Sequence, residues 1–132
     1  MNRSHLSDFF AFVRARVGEA KYQKFSAFDK TKDYVGPEGA SWKPPQTIYG
    51  VNARPGAWVH DNLFEIGGGE AEFDEANQIF LECLLWLIER HRYPWYIPNQ
   101  PTKALANYRA TTYYNAVCLA GRGHFKFRGT RK

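Results

Sequence analysis

A chain of 132 residues, 44% apolar and 23% charged, has room for one domain with one core, and this balance excludes an intrinsically disordered chain. Its two cysteines, Cys83 and Cys118, lack the paired short spacing of a zinc knuckle or redox motif, which excludes a disulfide scaffold and reads as reduced core thiols of a cytoplasmic product. The net charge of +5 hides a polarity: residues 1–54 hold nine bases and five acids, residues 55–89 eight acids and no base, and residues 90–132 nine bases and no acid.

An acidic middle beside a basic C-terminal third suits nucleic-acid binding by the basic part, or docking against neighbouring copies or another partner. The apolar run at residues 84–88 falls far short of the roughly 20 residues a helix needs to span a bilayer, and the N-terminus lacks a signal-peptide core. No transmembrane segment is expected.

In chain order, the first element is a helix within residues 1–20. Ser7 is its expected N-cap, Asp8 favours the positive end of the helix dipole, and Phe9, Phe10, Val13 and Val17 recur at helical spacing before Gly18. Such a short stripe with few cations suits packing better than a membrane surface. Tyr22, Phe25 and Phe28 then predict a strand, residues 29–32 a turn, and Tyr34-Val35 its partner, together a small β-hairpin. Residues 34–55 are rich in Gly and Pro and predict a long irregular loop.

Pro55 suits the first turn of a second helix, whose apolar face is Val59, Leu63 and Ile66 and whose end is Gly67-Gly68-Gly69. The third helix is expected to begin at Asp74, to bury Ala76, Ile79, Phe80, Cys83, Leu84 and Leu87, and to be the central element. An aromatic, proline-bearing loop follows at residues 93–98. A fourth helix runs from Thr102 to about Leu119, closed by Gly121, and a basic tail occupies residues 121–132. The expected fold class is α+β: one small helix-dominated domain over 1–132, with about four helices, a short β-hairpin and a long Gly/Pro-rich loop.

His60 and Asp61 form the first candidate site. A His-Asp pair on a helix, with Phe64 one turn on, puts imidazole and carboxylate on neighbouring faces, the arrangement of a base beside a hard-cation ligand. The same residues also read as a hydrogen-bonded core or interface histidine and part of an acidic face. A second candidate surface is the loop pair Trp95 and Tyr96, aromatic residues suited to interface hot spots, although packing back onto the third helix is their commoner fate. The third is the tail, where Arg122, Lys126, Arg128, Arg131 and Lys132 carry charge equal to the whole net excess and read as contacts to an acidic surface. The run His124-Phe125-Lys126-Phe127-Arg128 also suits nucleic acid, by phosphate contact and base stacking, against the repulsion of the acidic middle.

Tyr34-Val35-Gly36-Pro37-Glu38-Gly39, together with His60-Asp61, resembles the calcium loop and helix of phospholipase A2-type hydrolases, notably their short viral form, over residues 34–81. That resemblance implies His60 as general base and a Ca²⁺ ion held by Asp61 and the carbonyls of Gly36 and Gly39. It also implies an acid that orients the imidazole, and Asn77 stands at that position, able to accept a hydrogen bond but not to balance an imidazolium charge. Asp74 and Glu75 are the nearby acids that would substitute.

A wider resemblance covers residues 35–121. Glu38-Gly39-Ala40-Ser41 with Pro44, then Trp58-Val59-His60-Asp61-Asn62-Leu63-Phe64, then Glu75-Ala76-Asn77-Gln78-Ile79-Phe80-Leu81, and finally Tyr114-Asn115-Ala116-Val117-Cys118-Leu119-Ala120-Gly121, are similar in order and spacing to a phage and prophage family, the domain of unknown function numbered thirteen fifty-three. This chain departs from that pattern at Glu38 for Asp, Phe64 for Tyr and Asn77 for Asp. The resemblance implies a phage morphogenesis product: a virion or tail component, made in the host cytoplasm, that contacts copies of itself or other structural proteins in a larger assembly. Under it the His60, Asp61 and Asn77 group is the remnant of a site.

Overall fold

The computed structural model describes residues 3–29, 47–123 and 125–127. Gly36, Gly39, Arg128, Arg131 and Lys132, with the expected turn and second strand at residues 30–35, lie outside the described residues. Five α-helices appear among those described: α1 (Arg3–Val17), α2 (Glu19–Tyr22), α3 (Arg54–Ile66), α4 (Glu70–Arg90) and α5 (Asn99–Ala120), the last running into a 3₁₀ turn at Gly121–Gly123. None of them is long and apolar enough to cross a membrane.

The α+β expectation is corrected here to a helix-dominated fold without a sheet layer. Residues 22–29 form no strand. Tyr22, Phe25 and Phe28 are three apart, not two, so they gather on one side of the chain, and Phe25 and Phe28 meet the Trp58 ring edge-on at 5.3 and 5.7 Å. Hydrogen bonds fasten this strap to α3: Trp58 Nε1 donates to the Ser26 carbonyl at 2.9 Å, and the Ser26 amide donates to Asn62 Oδ1 at 3.0 Å. The expected loop ends in a two-residue antiparallel ladder, β1 (Thr47–Ile48) with β2 (Val51–Asn52). Its turn uses positive φ at Tyr49 and Gly50, the signature of the tightest connection between antiparallel segments.

Helix boundaries moved at their N-termini. Ser7 and Asp8 are exposed inside α1, which starts at Arg3, while Phe9 and Val13 bury completely as expected. Helix α4 begins at Glu70, with the Glu72 carboxylate accepting the Gly69 amide at 2.7 Å, so Asp74 lies beyond the first turn. Helix α5 begins three residues before Thr102, directly after Pro98.

Helix α4 is the central element, as expected, packed between α3 and α5 and also against α1. Close approach is bought by small side chains: Gly56 of α3, where an added Cβ would lie 3.1 Å from Leu84 Cδ2, and Ala106 and Ala110 of α5, both fully buried. On the α1 side, Trp86 receives Phe9 edge-on and Phe12 in a stack at 5.6 and 5.7 Å. The turn between α3 and α4 accepts the C-terminal segment. Gly67 has φ of 74°, and a Cβ there would overlap the Lys126 carbonyl. The Gly68 amide donates to that carbonyl at 3.0 Å and the Lys126 amide donates to the Phe64 carbonyl at 3.2 Å. These bonds seat Phe125 in the core against Phe64 and Phe73 at 5.2 and 5.3 Å.

Candidate functional site

His60 lies on the α4-facing side of α3 among Gly56, Val59, Leu63 and Phe64, all buried. One residue on, the helix has turned by about 100°, and Asp61 is exposed. Base and proposed cation ligand are therefore directed apart. The imidazole is packed against Phe64 at 4.0 Å and Phe80 at 4.8 Å between ring centroids, and its Nε2–H donates to Asn77 Oδ1 at 2.9 Å. Asn77 is itself buried, and its Nδ2 has no hydrogen-bond partner among the described residues.

Burial holds His60 down at about 4, because a charged ring would lose its hydration, and the bond to Asn77 offsets this only in part. The ring is neutral at pH 7. The imidazole is enclosed and weakly basic, and the bond to Asn77 holds Nε2 as an orienting group would, which leaves Nδ1 as the nitrogen able to accept a proton. The acids expected to stand in for a charged partner serve elsewhere. Glu75 faces Lys21 at 3.4 Å and Arg16 at 4.0 Å, and Asp74 acts electrostatically on Tyr114 and Arg122. No group of three or more His, Cys, Asp or Glu side chains gathers among the described residues. The described residues thus supply His60 and Asp61 as separate features, and the other two calcium candidates, Gly36 and Gly39, are outside them.

The charge polarity closes on itself in the fold. Four carboxylates of the acidic middle meet bases from the flanking thirds: Glu82 with Arg16 at 2.7 Å, Glu75 with Lys21, Glu70 with Arg122, and Glu65 with Lys126. Arg122 also covers the Phe73 and Phe127 rings at 5.0 and 5.3 Å. Two residues expected at an interface, Arg122 and Lys126, therefore hold the C-terminal segment to its own chain. Phe125 is buried and Phe127 half-buried, so the aromatic half of the tail's nucleic-acid reading is spent on the core. His124 and Arg128 of that run lie outside the described residues.

Trp95 and Tyr96 behave differently. They are 94% and 68% exposed, on the turn between α4 and α5, and they do not pack back onto α4. The sequence places Leu105, Tyr108 and Leu119 on the fourth helix without assigning them a face, and in the fold all three face solvent. The signal was present in the spacing. Ala106, Ala110 and Tyr113 mark the buried side of α5, and Leu105, Tyr108, Thr112, Asn115 and Leu119, at alternating steps of three and four, mark an exposed stripe.

Comparison of the chain with family models, with curated proteins and with solved structures gives no match.

Proposed function

We propose that this chain is a phage structural or assembly protein, a virion or tail component that acts through contacts with copies of itself or with other structural proteins. One observation carries the reading. Of six large apolar side chains exposed among the described residues, five (Trp95, Tyr96, Leu105, Tyr108 and Leu119) fall on the α4–α5 turn and the outer side of α5. Isolated exposed apolar residues are ordinary, but a stripe along one 22-residue helix, with aromatic rings at the head of that helix, suits association with another protein surface. The phage setting is taken from the resemblance of the motifs at residues 35–121, read in their order along the chain. Arg122 and Lys126 are paired within the chain, and the exposed side of α5 adds a contact surface to the tail residues Arg128, Arg131 and Lys132, which lie outside the described residues.

The alternative, a calcium-assisted hydrolase, requires an imidazole in contact with solvent, whereas His60 is enclosed by Phe64 and Phe80. Light scattering on the purified chain tests the proposal, together with mass spectrometry of purified phage particles. The expected results are an oligomer, weakened by Leu105→Gln with Tyr108→Gln, and the chain's peptides in the particle. A monomer at high concentration and particles that lack the chain would overturn it.

A further inference from the structure

The turn that joins α4 to α5 brings cations and aromatic rings into one open groove of about 660 Å³. Arg90, Arg92, Tyr93, Trp95 and Lys103 line it, and Glu89 is the single carboxylate among the lining residues. Each cation is presented in a different way. The Arg90 guanidinium rests 4.1 Å from the Trp86 ring centroid, which fixes its stem and leaves its charge at the rim. Lys103 Nζ donates to the Glu89 carbonyl at 2.6 Å, so the ammonium is anchored by a neutral group. Arg92 is exposed. None of the three forms an ion pair among the described residues, unlike Arg14, Arg16, Lys21, Arg122 and Lys126, which all do.

The aromatic component has a matching geometry. Trp95 is almost wholly exposed, which leaves its indole open to a stacking ligand, and it meets Tyr96 at 90° between ring planes. An open indole face beside unneutralised cations suits a ligand that alternates flat rings with negative charge. We propose that this groove binds single-stranded nucleic acid, with an unpaired base stacked on Trp95 and the adjoining phosphates at Arg92, Arg90 and Lys103. A duplex hides its base faces within its own stack, and an acidic peptide would use the cations and leave the indole idle. The groove shares Trp95 with the head of the contact surface proposed above but not its Leu105, Tyr108 and Leu119 stripe, so Leu105→Gln with Tyr108→Gln should leave strand binding unchanged while it weakens self-association.

The test is fluorescence anisotropy of a labelled oligothymidylate with the full chain at low salt, for the parent, Trp95→Ala and Arg92→Gln. Both side chains are exposed, and circular dichroism verifies that the variants keep their helices. Salt-sensitive binding is expected, weakened about tenfold by Trp95→Ala, since stacking on one aromatic ring has an effect of that order. Arg92→Gln should weaken binding and lower the slope against salt by about one contact. A duplex of the same length should bind more weakly, and polyglutamate of equal charge should not displace the strand. The proposal is overturned by lack of association at low salt, by a Trp95→Ala variant that binds like the parent, or by polyglutamate that competes as well as the oligonucleotide.

Discussion

At the seam between α3 and α4, His60 and Asn77 sit behind Phe64 and Phe80, whereas at the corner between α4 and α5, Trp95, Tyr96 and Arg92 stand in solvent. The first region has the residue types of a catalytic centre and the burial of a core. The second has the residue types of a loop and the exposure of a binding surface. Chemistry available to a partner is therefore set by which side of the helix a residue occupies, and the two regions exchange the roles that their residue types suggest.

The most forceful way to break this contrast is to open the seam. Phe64→Ala removes a ring that touches His60, Phe73 and Phe125, and should cost about 3–5 kcal/mol of stability in urea unfolding. In whatever fraction remains folded, NMR should find His60 titrating closer to its ordinary value. Acidity probes the same seal without mutation. Because the folded state holds His60 at about 4, below the ordinary 6.5, the unfolded chain binds the additional proton. Stability should be at its full value above about pH 6.5 and fall by roughly 3 kcal/mol as pH drops towards 4, and His60→Leu should flatten that window in denaturation curves.

A smaller change sharpens the contrast. Asn77→Asp places a carboxylate against the imidazole, so the NMR titration of His60 should move to higher pH. The neutral-pH fold should lose about 1–3 kcal/mol, because two charges would have to be held away from water. At the other region the effect on folding should almost vanish. Leu105→Gln with Tyr108→Gln should leave unfolding within about 0.5 kcal/mol of the parent while reducing self-association in light scattering, the opposite signature to the seam variants.

Much of the framework was legible in the residue order. Pro55 at the start of α3, Gly67 at its end, and the buried series Phe9, Val13, Ile79, Cys83 and Leu84 follow from proline geometry, glycine's freedom at positive φ and the 3.6-residue period. The aromatic strap at residues 22–29 was misread because β-favouring residue types suggested a strand, while their spacing of three was the informative feature. Ser7, Asp74 and Thr102 were expected at helix starts because of their type, and all three lie within helices, since a short polar side chain is also tolerated inside a helix where it is not fully buried.

The candidate site divides along the same line. A histidine beside an aspartate is visible in any reading of residues 60 and 61, but only helix packing turns one ring into the core and the other carboxylate to solvent. The opposed charge blocks were equally plain, and they gave no indication that Glu65 and Glu70 would meet Lys126 and Arg122 of the same chain.

Local pattern by itself determined where most helices lie and which residues are apolar enough to form a centre, because period and backbone propensity act over a few neighbouring positions. Tertiary structure alone decided that the histidine is sealed, that the acidic middle is met by its own flanks, and that Trp95 and the outer side of α5 stay wet. Each of those outcomes depends on pairings across tens of residues, where desolvation and Coulomb attraction act between groups that the chain order does not bring together.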